Sequence, residues 1–425
     1  MRKYTKIIVA NLLCFILIVS NLTVVSAEAN KTEGALAELA SNAKSAVLMD
    51  SYTGQIMFEK NSHQKLPPAS ITKVMSILLI MEALEQQALS LTDVVTASEN
   101  ASAMGGSQIF LATNEQMTVE EMLRGITIAS GNDATVAMAE HLAGTEAEFV
   151  KMMNQKAKEL GMKNTNFMNS HGLPHESHYT TAFDIAIMSR ELLRKYPQIT
   201  MYTSIYSDYL RKDTDRPLWL VNTNRLVKFY EGADGLKTGY TSEAKYCLSA
   251  TAKKDNLRVI AVVMGEPTSK MRSQEVSEMF NYAFSKYKSE PIIKKGEFVS
   301  ELFVNKGQSN RVNIVAEDDL LLLLKKSENT STFTKEIFVP EHINAPVKKG
   351  EPIGYIAIQN GDKEMARISL VAETDIEKAS FMKMSMRSIG YWFKPSAKLL
   401  GNKAEIGETQ LEENEKQQTE PSANK

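Results

Sequence analysis

The sequence predicts an α+β fold in which helices cover an antiparallel sheet, followed by a small all-β domain and a C-terminal amphipathic helix. β-rich runs lie at both ends of residues 45–287, with helical patterns between them. Residues 292–372 are rich in Val, Ile and Lys, with glycine turns typical of β structure. Residues 376–401 combine a basic face with an apolar face on a helical wheel.

The first element is a hairpin, because the strand-like runs Ala46–Met49 and Gln55–Glu59 are joined by a Tyr-Thr-Gly turn. The apolar stretch Ile71–Leu84 predicts a helix buried on most sides. A second hairpin is predicted from Tyr246–Ala252 and Arg258–Gly265, which flank a Lys-Lys-Asp-Asn turn. The sheet is therefore expected to contain strands from both ends of this segment.

Two further helices are predicted in the middle of the segment. Thr118-Val-Glu-Glu121 has the pattern of a capping box, which would begin a helix that runs to Ala129. Another helical pattern covers Asp133–Leu142. The residues Ser130-Gly-Asn132 are therefore expected to form a tight loop between two helices.

The composition excludes several classes of protein. Hydrophobic residues make up 43% and charged residues 24%, which excludes collagen, coiled-coil and wholly disordered chains. The formal net charge of -2 provides no general electrostatic reason to bind nucleic acid. Two cysteines cannot form a disulfide framework. Cys247 lies in a strand-like run, where a buried cysteine is usually part of the core.

The N-terminus has the order of a secretory signal. Three cations, Arg2, Lys3 and Lys6, precede an apolar run that ends in the small residues before Ala27. We predict a signal peptide over residues 1–27, with an uncleaved membrane anchor as the alternative. Either way, the rest of the chain is expected to work outside the cytoplasmic membrane.

Three short patterns could carry chemistry, and their context selects among the copies. Ser-x-x-Lys occurs seven times, but only Ser70-Ile-Thr-Lys73 begins an apolar helix. Ser-x-Asn occurs four times, and Ser130-Gly-Asn132 is the copy in the predicted inter-helix loop. Lys-Thr-Gly occurs once, at Lys237-Thr-Gly239, beside the C-terminal strands.

A spacing of three residues on a helix brings Ser70 and Lys73 to one face. A serine hydroxyl needs an adjacent base, and lysine can serve only if its pKa falls from ~10.4 toward neutrality. Burial and a second cation such as Lys237 would lower it. Ser130 and Asn132 could relay a proton and orient a substrate amide. Lys237 and Thr238 would suit a substrate carboxylate, and Gly239 would let an extended substrate approach the strand.

The three motifs occur together in β-lactamases and penicillin-binding proteins. The chain resembles the low-molecular-mass penicillin-binding proteins that act as serine-type D-alanyl-D-alanine carboxypeptidases, with a β-lactamase/transpeptidase-like catalytic domain. Further stretches carry the same resemblance, namely Met104-Gly-Gly-Ser-Gln-Ile-Phe-Leu111, His171-Gly-Leu173 with Tyr179-Thr-Thr-Ala182, and Asp234-Gly-Leu-Lys-Thr-Gly239. The domains implied are a catalytic domain over 28–288 and a β-rich domain over 289–375.

The resemblance implies a role for each motif residue. Ser70 would attack the bond between the last two D-alanines of a peptidoglycan stem peptide, and Lys73 would take its proton. Ser130 would pass a proton to the leaving amine, and Asn132 would hold the substrate amide. The remaining roles belong to one strand: Lys237 and Thr238 would bind the terminal carboxylate, and the backbone N–H of Tyr240 would form the oxyanion hole with that of Ser70. β-Lactam antibiotics would acylate the same serine, and no cofactor is implied.

The sequence is also compatible with other functions, to different degrees. A β-lactamase is disfavoured because Glu159 and Asn164 do not reproduce the glutamate-to-asparagine spacing of that enzyme class. A D,D-endopeptidase that cuts cross-links shares all three motifs. A non-catalytic wall-binding scaffold is the alternative from another class. A metal site at His171, His175 and His178 is disfavoured, because Gly172 and Pro174 break any helix there. Asp133 and Asp234 are expected to be cap or turn residues.

The C-terminal residues predict a membrane contact. In 376–401, five cations stand against Glu377, and Lys383, Arg387, Lys394 and Lys398 fall opposite the aromatic and aliphatic side chains. Such a helix lies in the membrane interface with its cations toward anionic headgroups. The alternative is a helix packed on the β-domain. Residues 402–425 are polar and charged, and we expect disorder there. The protein would thus be held peripherally on the outer face of the cytoplasmic membrane.

Overall fold

The computed structural model describes residues 39–328 and 331–380, which fall into two compact units. Of these residues, the larger unit holds 39–297, 316–328, 331–338 and 355–369, and the smaller holds 298–315, 339–354 and 370–380. The predicted signal peptide, most of the predicted amphipathic helix and the polar tail lie outside the described residues. No helix within 39–328 or 331–380 is both long and apolar enough to cross a membrane.

The larger unit is built on a five-stranded antiparallel sheet with the order β2-β1-β9-β8-β7. Its N-terminal strand β1 pairs with β9, from the far end of the segment, as the sequence predicts. Two short hairpins, β3 with β4 and β5 with β6, lie outside this sheet. The strands are β1 Ser45–Asp50, β2 Ile56–Lys60, β3 Val94–Thr96, β4 Gln116–Thr118, β5 Ser207–Leu210, β6 Leu218–Val221, β7 Ala233–Thr241, β8 Lys245–Lys254 and β9 Leu257–Glu266.

Nine helices accompany the strands in the described residues. They are α1 Lys73–Glu85, α2 Glu99–Ser102, α3 Val119–Thr127, α4 Asn132–Ala143, α5 Glu146–Glu159, α6 Ala182–Lys195, α7 Thr200–Thr203, α8 Leu226–Phe229 and α9 Ser269–Lys286. The 3-10 turns Ala69–Thr72 and Pro197–Ile199 complete the set.

The sheet is buried on both faces, which explains why β1 reads as an unbroken apolar run. Side chains alternate between the faces of a strand. Val47 and Met49 face the core that contains α1 and most other helices, whereas Ala46 and Leu48 face the core that contains α9. The predicted α+β fold, with helices covering an antiparallel sheet, is confirmed.

Local sequence signals account for several element boundaries. The predicted capping box is present, since Thr118 Oγ1 accepts from the N–H of Glu121, whose carboxylate accepts from the N–H of Thr118. The predicted end at Ala129 is wrong by two residues, because α3 ends at Thr127 and the chain turns through Ser130, with φ of +64°. Ser70 lies in a 3-10 turn that leads into α1, rather than in the α-helix itself.

The C-terminal part is all-β, as predicted. The strands are β10 Tyr287–Ile293, β11 Phe298–Asn305, β12 Arg311–Ala316, β13 Leu320–Lys325, β14 Phe333–Phe338, β15 His342–Asn344, β16 Pro352–Asn360 and β17 Lys363–Ala372. In the larger unit β10 pairs with β13, and β14 pairs with β16. In the smaller unit β11 pairs with β12 and, in parallel, with β15.

The predicted helix over 376–401 is wrong at its beginning. Ile376 forms an isolated bridge with Val347, and Lys378 forms one with Gly307. Backbone that is paired in this way is extended, so a helix can begin only after these residues. The remainder of that segment, from residue 381, lies outside the described residues.

Candidate active site

A serine and a buried lysine lie at the centre of the candidate site. The 3-10 turn holds Ser70 so that its Oγ lies 3.1 Å from Lys73 Nζ, one turn further along the chain. Lys73 Nζ also donates to Asn132 Oδ1 at 2.6 Å and to the carbonyl oxygen of His171 at 2.8 Å. All three partners are uncharged, so no carboxylate in contact with Lys73 stabilises its ammonium form.

The electrostatics of Lys73 favour a neutral amine. Burial lowers its pKa well below the ordinary value, and the positive charge of Lys237 lowers it further, with Asp133 opposing. A neutral amine has two N–H bonds and one lone pair. If the N–H bonds serve Asn132 and His171, the lone pair is left for the hydroxyl of Ser70. The predicted pairing of a serine nucleophile with a depressed lysine is therefore supported by geometry and by charge.

The loop between α3 and α4 brings Ser130 to the same cleft as Ser70. The backbone N–H of Asn132 donates to the carbonyl oxygen of Ser107 at 2.7 Å, and its Nδ2 donates to that of Gly105 at 2.6 Å. Both ends of the Asn132 amide are thus occupied, one by Lys73 and the other by the 105–111 loop.

Asp133 holds that loop in place. Its carboxylate is fully buried and accepts from the backbone N–H groups of Ile109, Leu111 and Ala134, at 2.8–3.0 Å. Asp133 is therefore a structural anchor rather than an acid–base group. The expectation that Asp234 is a turn residue is wrong, because Asp234 lies in β7 and forms a two-bond ion pair with Arg258.

Strand β7 supplies the second wall of the site. Thr238 and Tyr240 line the cleft, and Thr238 Oγ1 donates to Thr223 Oγ1 at 2.7 Å. Lys237 is buried, and its Nζ donates to the carbonyl oxygen of Thr238 at 3.1 Å. Burial, and then the charge of Arg272, lowers the pKa of Lys237 to about 7.

Glycine is required at position 239 for a different reason from the one that the sequence indicated. A Cβ at this position would lie 2.9 Å from the carbonyl oxygen of Pro68 and 3.1 Å from Ala69 Cβ. The strand therefore packs directly against the turn that carries Ser70, and only glycine permits that approach. Approach of a substrate is not needed to explain the glycine.

The cleft has a volume of about 890 Å³ and contains Ser70, Ser130, Thr238 and Tyr240 along its walls. The charged side chains that line it are all cations, namely Arg225, Lys270 and Arg272. Such a cleft is suited to an anionic ligand. The geometry thus places a potential nucleophile beside an anion-binding wall.

Arg272 is the main residue of the candidate site that the sequence did not reveal. Arg272 is 6% exposed, burial lowers its pKa to about 10, and its Nε makes no hydrogen bond to any described residue. One signal could have found it: α9 has no acidic residue in its first turn, where acids are favoured, and carries Arg272 there instead. Thr223, which also lines the cleft, had no such signal, whereas Ser107 lies in the stretch 104–111 that the sequence analysis had already singled out.

The other residues that the sequence analysis considered, Cys247, His171 and His178, lie in surroundings that suit a structural role. Cys247 is buried in β8, in agreement with a core residue, and burial raises the pKa of its thiol to about 11. Burial lowers the pKa of His171 to about 3 and that of His178 to about 4. His178 Nε2 lies 2.9 Å from Thr72 Oγ1, within the packing around α1. Among the described residues no three His, Cys, Asp or Glu side chains are grouped as metal ligands.

Two protein-family models match the chain. Residues 29–268 match the D-alanyl-D-alanine carboxypeptidase model, and residues 287–378 match the model of the C-terminal domain of penicillin-binding protein 5. The carboxypeptidase DacF of Bacillus subtilis is 50% identical over 357 residues, which cover 84% of this chain and 92% of that protein. The carboxypeptidase DacA of Haemophilus influenzae is 34% identical over 342 residues, covering 79% of this chain and 86% of that protein.

Solved structures agree with the sequence relatives. Penicillin-binding protein 5 from Haemophilus influenzae has a TM-score of 0.65 at 34% identity, covering 79% of this chain and 98% of that one. Penicillin-binding protein D2 from Listeria monocytogenes, in its ampicillin-bound form, has a TM-score of 0.52 at 29% identity, covering 58% of this chain and 98% of that one.

Proposed function

Since the chain belongs to the D-alanyl-D-alanine carboxypeptidase family, and is a serine-type enzyme of the low-molecular-mass penicillin-binding proteins, we propose that Ser70 is its nucleophile. Its substrates would be peptidoglycan stem pentapeptides, from which it removes the terminal D-alanine. The observation that carries this assignment is the contact of 3.1 Å between Ser70 Oγ and the buried, charge-depressed amine of Lys73.

In the acylation step Lys73 accepts the proton of Ser70 while Oγ attacks the carbonyl carbon of the penultimate D-alanine. The backbone N–H groups of Ser70 and Tyr240 stabilise the oxyanion that forms. Ser130, on the opposite wall, delivers a proton to the departing amine of D-alanine. A water molecule then hydrolyses the acyl-enzyme, which releases the shortened peptide and restores Ser70.

Asn132 has a positioning role in this scheme. Its Oδ1 accepts from Lys73 Nζ, which orients the amine toward Ser70. Its Nδ2 donates to the carbonyl oxygen of Gly105. If Asn132 also holds the substrate amide, that bond to the 105–111 loop must be exchanged for one to the substrate.

The carboxylate of the terminal D-alanine binds to Lys237, Thr238 and Arg272 in our proposal. The buried guanidinium of Arg272 has no acidic partner within hydrogen-bond distance among the described residues, and a carboxylate would supply one. Charge-assisted hydrogen bonds of this kind are the stronger ones in proteins. This explains why the enzyme would need a free C-terminus.

The Arg272→Gln variant is expected to raise KM for a pentapeptide that ends in D-Ala-D-Ala by about 10- to 100-fold, because a hydrogen bond to a charged group contributes about 1.5–3 kcal/mol. The same pentapeptide with an amidated C-terminus should be a poor substrate for the unmodified chain. Its KM should rise little further in the variant. Steady-state release of the terminal residue measures both.

Lys286→Gln is the matched control, since Lys286 lies on the same helix, is exposed and does not line the cleft. Exposed charges contribute little, and the change in KM should stay below about threefold. Equal losses for the free and the amidated peptide in Arg272→Gln would contradict a carboxylate role for Arg272.

β-Lactam antibiotics would acylate Ser70 because they resemble the D-Ala-D-Ala terminus. Support comes from family membership and from the similarity to a penicillin-binding protein solved with bound ampicillin. Lys237 and Arg272 would bind the carboxylate of the antibiotic as they bind that of the peptide. The acyl-enzyme formed would carry the opened lactam on Ser70 Oγ.

The location that we propose is the outer face of the cytoplasmic membrane. The signal-like residues 1–27 support export, and the basic, amphipathic pattern after residue 380 supports a peripheral anchor to anionic lipid. The chain is expected to sediment with vesicles that contain anionic lipid, whereas a chain ending at Ser380 should stay in the supernatant. Vesicles of neutral lipid are the control, and equal sedimentation of both chains would contradict the anchor.

A further inference from the structure

The hairpin of β5 and β6 presents an uncharged, partly aromatic face to solvent. Tyr209 is paired with Trp219 and Ser207 with Val221. Since side chains alternate in a strand, Leu210 and Leu220 point into the core and these four point out. Trp219 is 61% exposed and Tyr209 is 47% exposed. We call this surface the hairpin strip; it consists of Ser207, Tyr209, Trp219 and Val221.

The hairpin strip is continuous with the catalytic cleft. Val221 lines the cleft and belongs to the strip. Two residues further on, Thr223 accepts a hydrogen bond from Thr238. In the other direction Trp219 lies about 7 Å along β6 from Val221, from the rise of an antiparallel strand. A ligand bound on the strip would therefore lie directly beside a peptide bound in the cleft.

The cleft wall and the hairpin strip differ in charge. The cleft wall carries Arg225, Lys270 and Arg272, whereas the hairpin strip carries no charged side chain. A ligand that matches both is acidic in the cleft and uncharged on the strip. Peptidoglycan has these two parts, because peptides that bear carboxylates are attached to a chain of N-acetylated, and therefore uncharged, amino sugars. Aromatic rings offer apolar faces to the C–H groups of sugars, while Tyr O–H and Trp N–H can bond to hydroxyls.

We propose that the hairpin strip binds the saccharide chain of peptidoglycan beside the cleft in which Ser70 acts. The inference rests on the proposed function. Because Thr238 binds the terminal carboxylate, the stem peptide being cut extends away from Thr223 and Val221. The sugar on the strip therefore belongs to a neighbouring chain, and the strip directs the enzyme to assembled wall in preference to short soluble peptides.

The test uses the full chain with Ser70→Ala, so that the ligand is not consumed, and purified peptidoglycan sacculi or glycan strands freed of peptide by an amidase. Trp219→Ala combined with Tyr209→Ala should weaken binding to both by about tenfold in co-sedimentation. With Ser70 intact, the double variant should release D-alanine more slowly from sacculi and at an unchanged rate from a soluble pentapeptide.

Met201→Ala is the matched control, because Met201 is 64% exposed and lies on α7 beside a different groove. It should leave binding to sacculi unchanged. Trp219→Phe keeps an aromatic face and should retain most of the binding. The chain has two tryptophans, so in a Trp392→Phe variant the indole fluorescence of Trp219 reports contact with the ligand directly.

Three results would overturn the proposal: unchanged binding of the double variant to sacculi, no binding of peptide-free glycan strands by the unmodified strip, or no response of Trp219 fluorescence to those strands. Loss of binding to anionic lipid vesicles, with binding to sacculi intact, would reassign the strip to the membrane. Failure of the proposed function is a separate result, since it would appear as no release of D-alanine from the soluble pentapeptide by the unmodified chain.

Discussion

Ser70→Ala is expected to reduce release of D-alanine from a soluble pentapeptide by at least about 10³-fold, because no second hydroxyl lies within hydrogen-bond distance of Lys73 Nζ among the described residues. Covalent labelling by a fluorescent penicillin should disappear at the same time. Non-covalent binding of the peptide should persist, since Lys237, Thr238 and Arg272 are unchanged. Release and labelling are measured on the same preparation.

Ser242→Ala is the matched control for the nucleophile. Ser242 belongs to another Ser-x-x-Lys copy, Ser242-Glu-Ala-Lys245, and is exposed in the turn between β7 and β8. Its replacement should leave both activities unchanged. Persistent labelling of the Ser70→Ala variant would assign the nucleophile to another residue, and peptide mapping of the labelled chain would identify it.

Lys73→Arg separates the role of the lysine as a base from the effect of its positive charge. Arginine retains a positive charge, but its pKa is too high for it to accept a proton. We expect a loss of about 10²- to 10⁴-fold in acylation rate, the usual contribution of a general base. An acylation rate close to that of the unmodified chain would show that Lys73 acts through its charge and would contradict the base role.

Gly172→Ala is expected to damage both folding and activity. A Cβ on Gly172 would lie 1.9 Å from the carbonyl oxygen of Ala69 and 2.9 Å from Thr72 Oγ1, and its φ is +93°. Because the nearest clash is with backbone, no side-chain rotation relieves it. We expect a loss of about 3 kcal/mol or more in the free energy of unfolding.

The same clash explains the expected loss of activity. Ala69 precedes Ser70 in the 3-10 turn, and His171, which precedes Gly172, accepts a hydrogen bond from Lys73. Moving either segment separates Ser70 from Lys73, and a displacement of about 1 Å can cost about 10²-fold in rate. Thermal unfolding and the acylation rate of the remaining folded protein measure the two effects.

Gly161→Ala is the control that shows the cost of a positive φ without a steric clash. Gly161 has φ of +73°, but a Cβ there would meet nothing within 4 Å. This variant should lose about 1 kcal/mol of stability and keep full activity. If Gly172→Ala resembled Gly161→Ala in both measurements, the close packing of residues 169–173 on the Ser70 turn would be contradicted.

The sequence by itself determined those features that depend on neighbours along the chain. The capping box at Thr118 and Glu121, the hairpin of β8 and β9, and the spacing of Ser70 and Lys73 all involve residues within a few positions of each other. Local backbone geometry and side-chain alternation are sufficient to specify such features. The C-terminal helix was misplaced at its beginning because amphipathicity says nothing of the bridges that Ile376 and Lys378 make.

Only the tertiary structure decided what surrounds Ser70 and Lys73. The carbonyl of His171 reaches Lys73, Gly239 packs on Pro68, and Asp133 anchors a loop 22–24 residues before it. Arg272 comes to the cleft because α9 covers a sheet whose first and last strands are neighbours. These contacts join residues far apart in the chain. A pattern within one segment does not indicate which distant segment will pack against it.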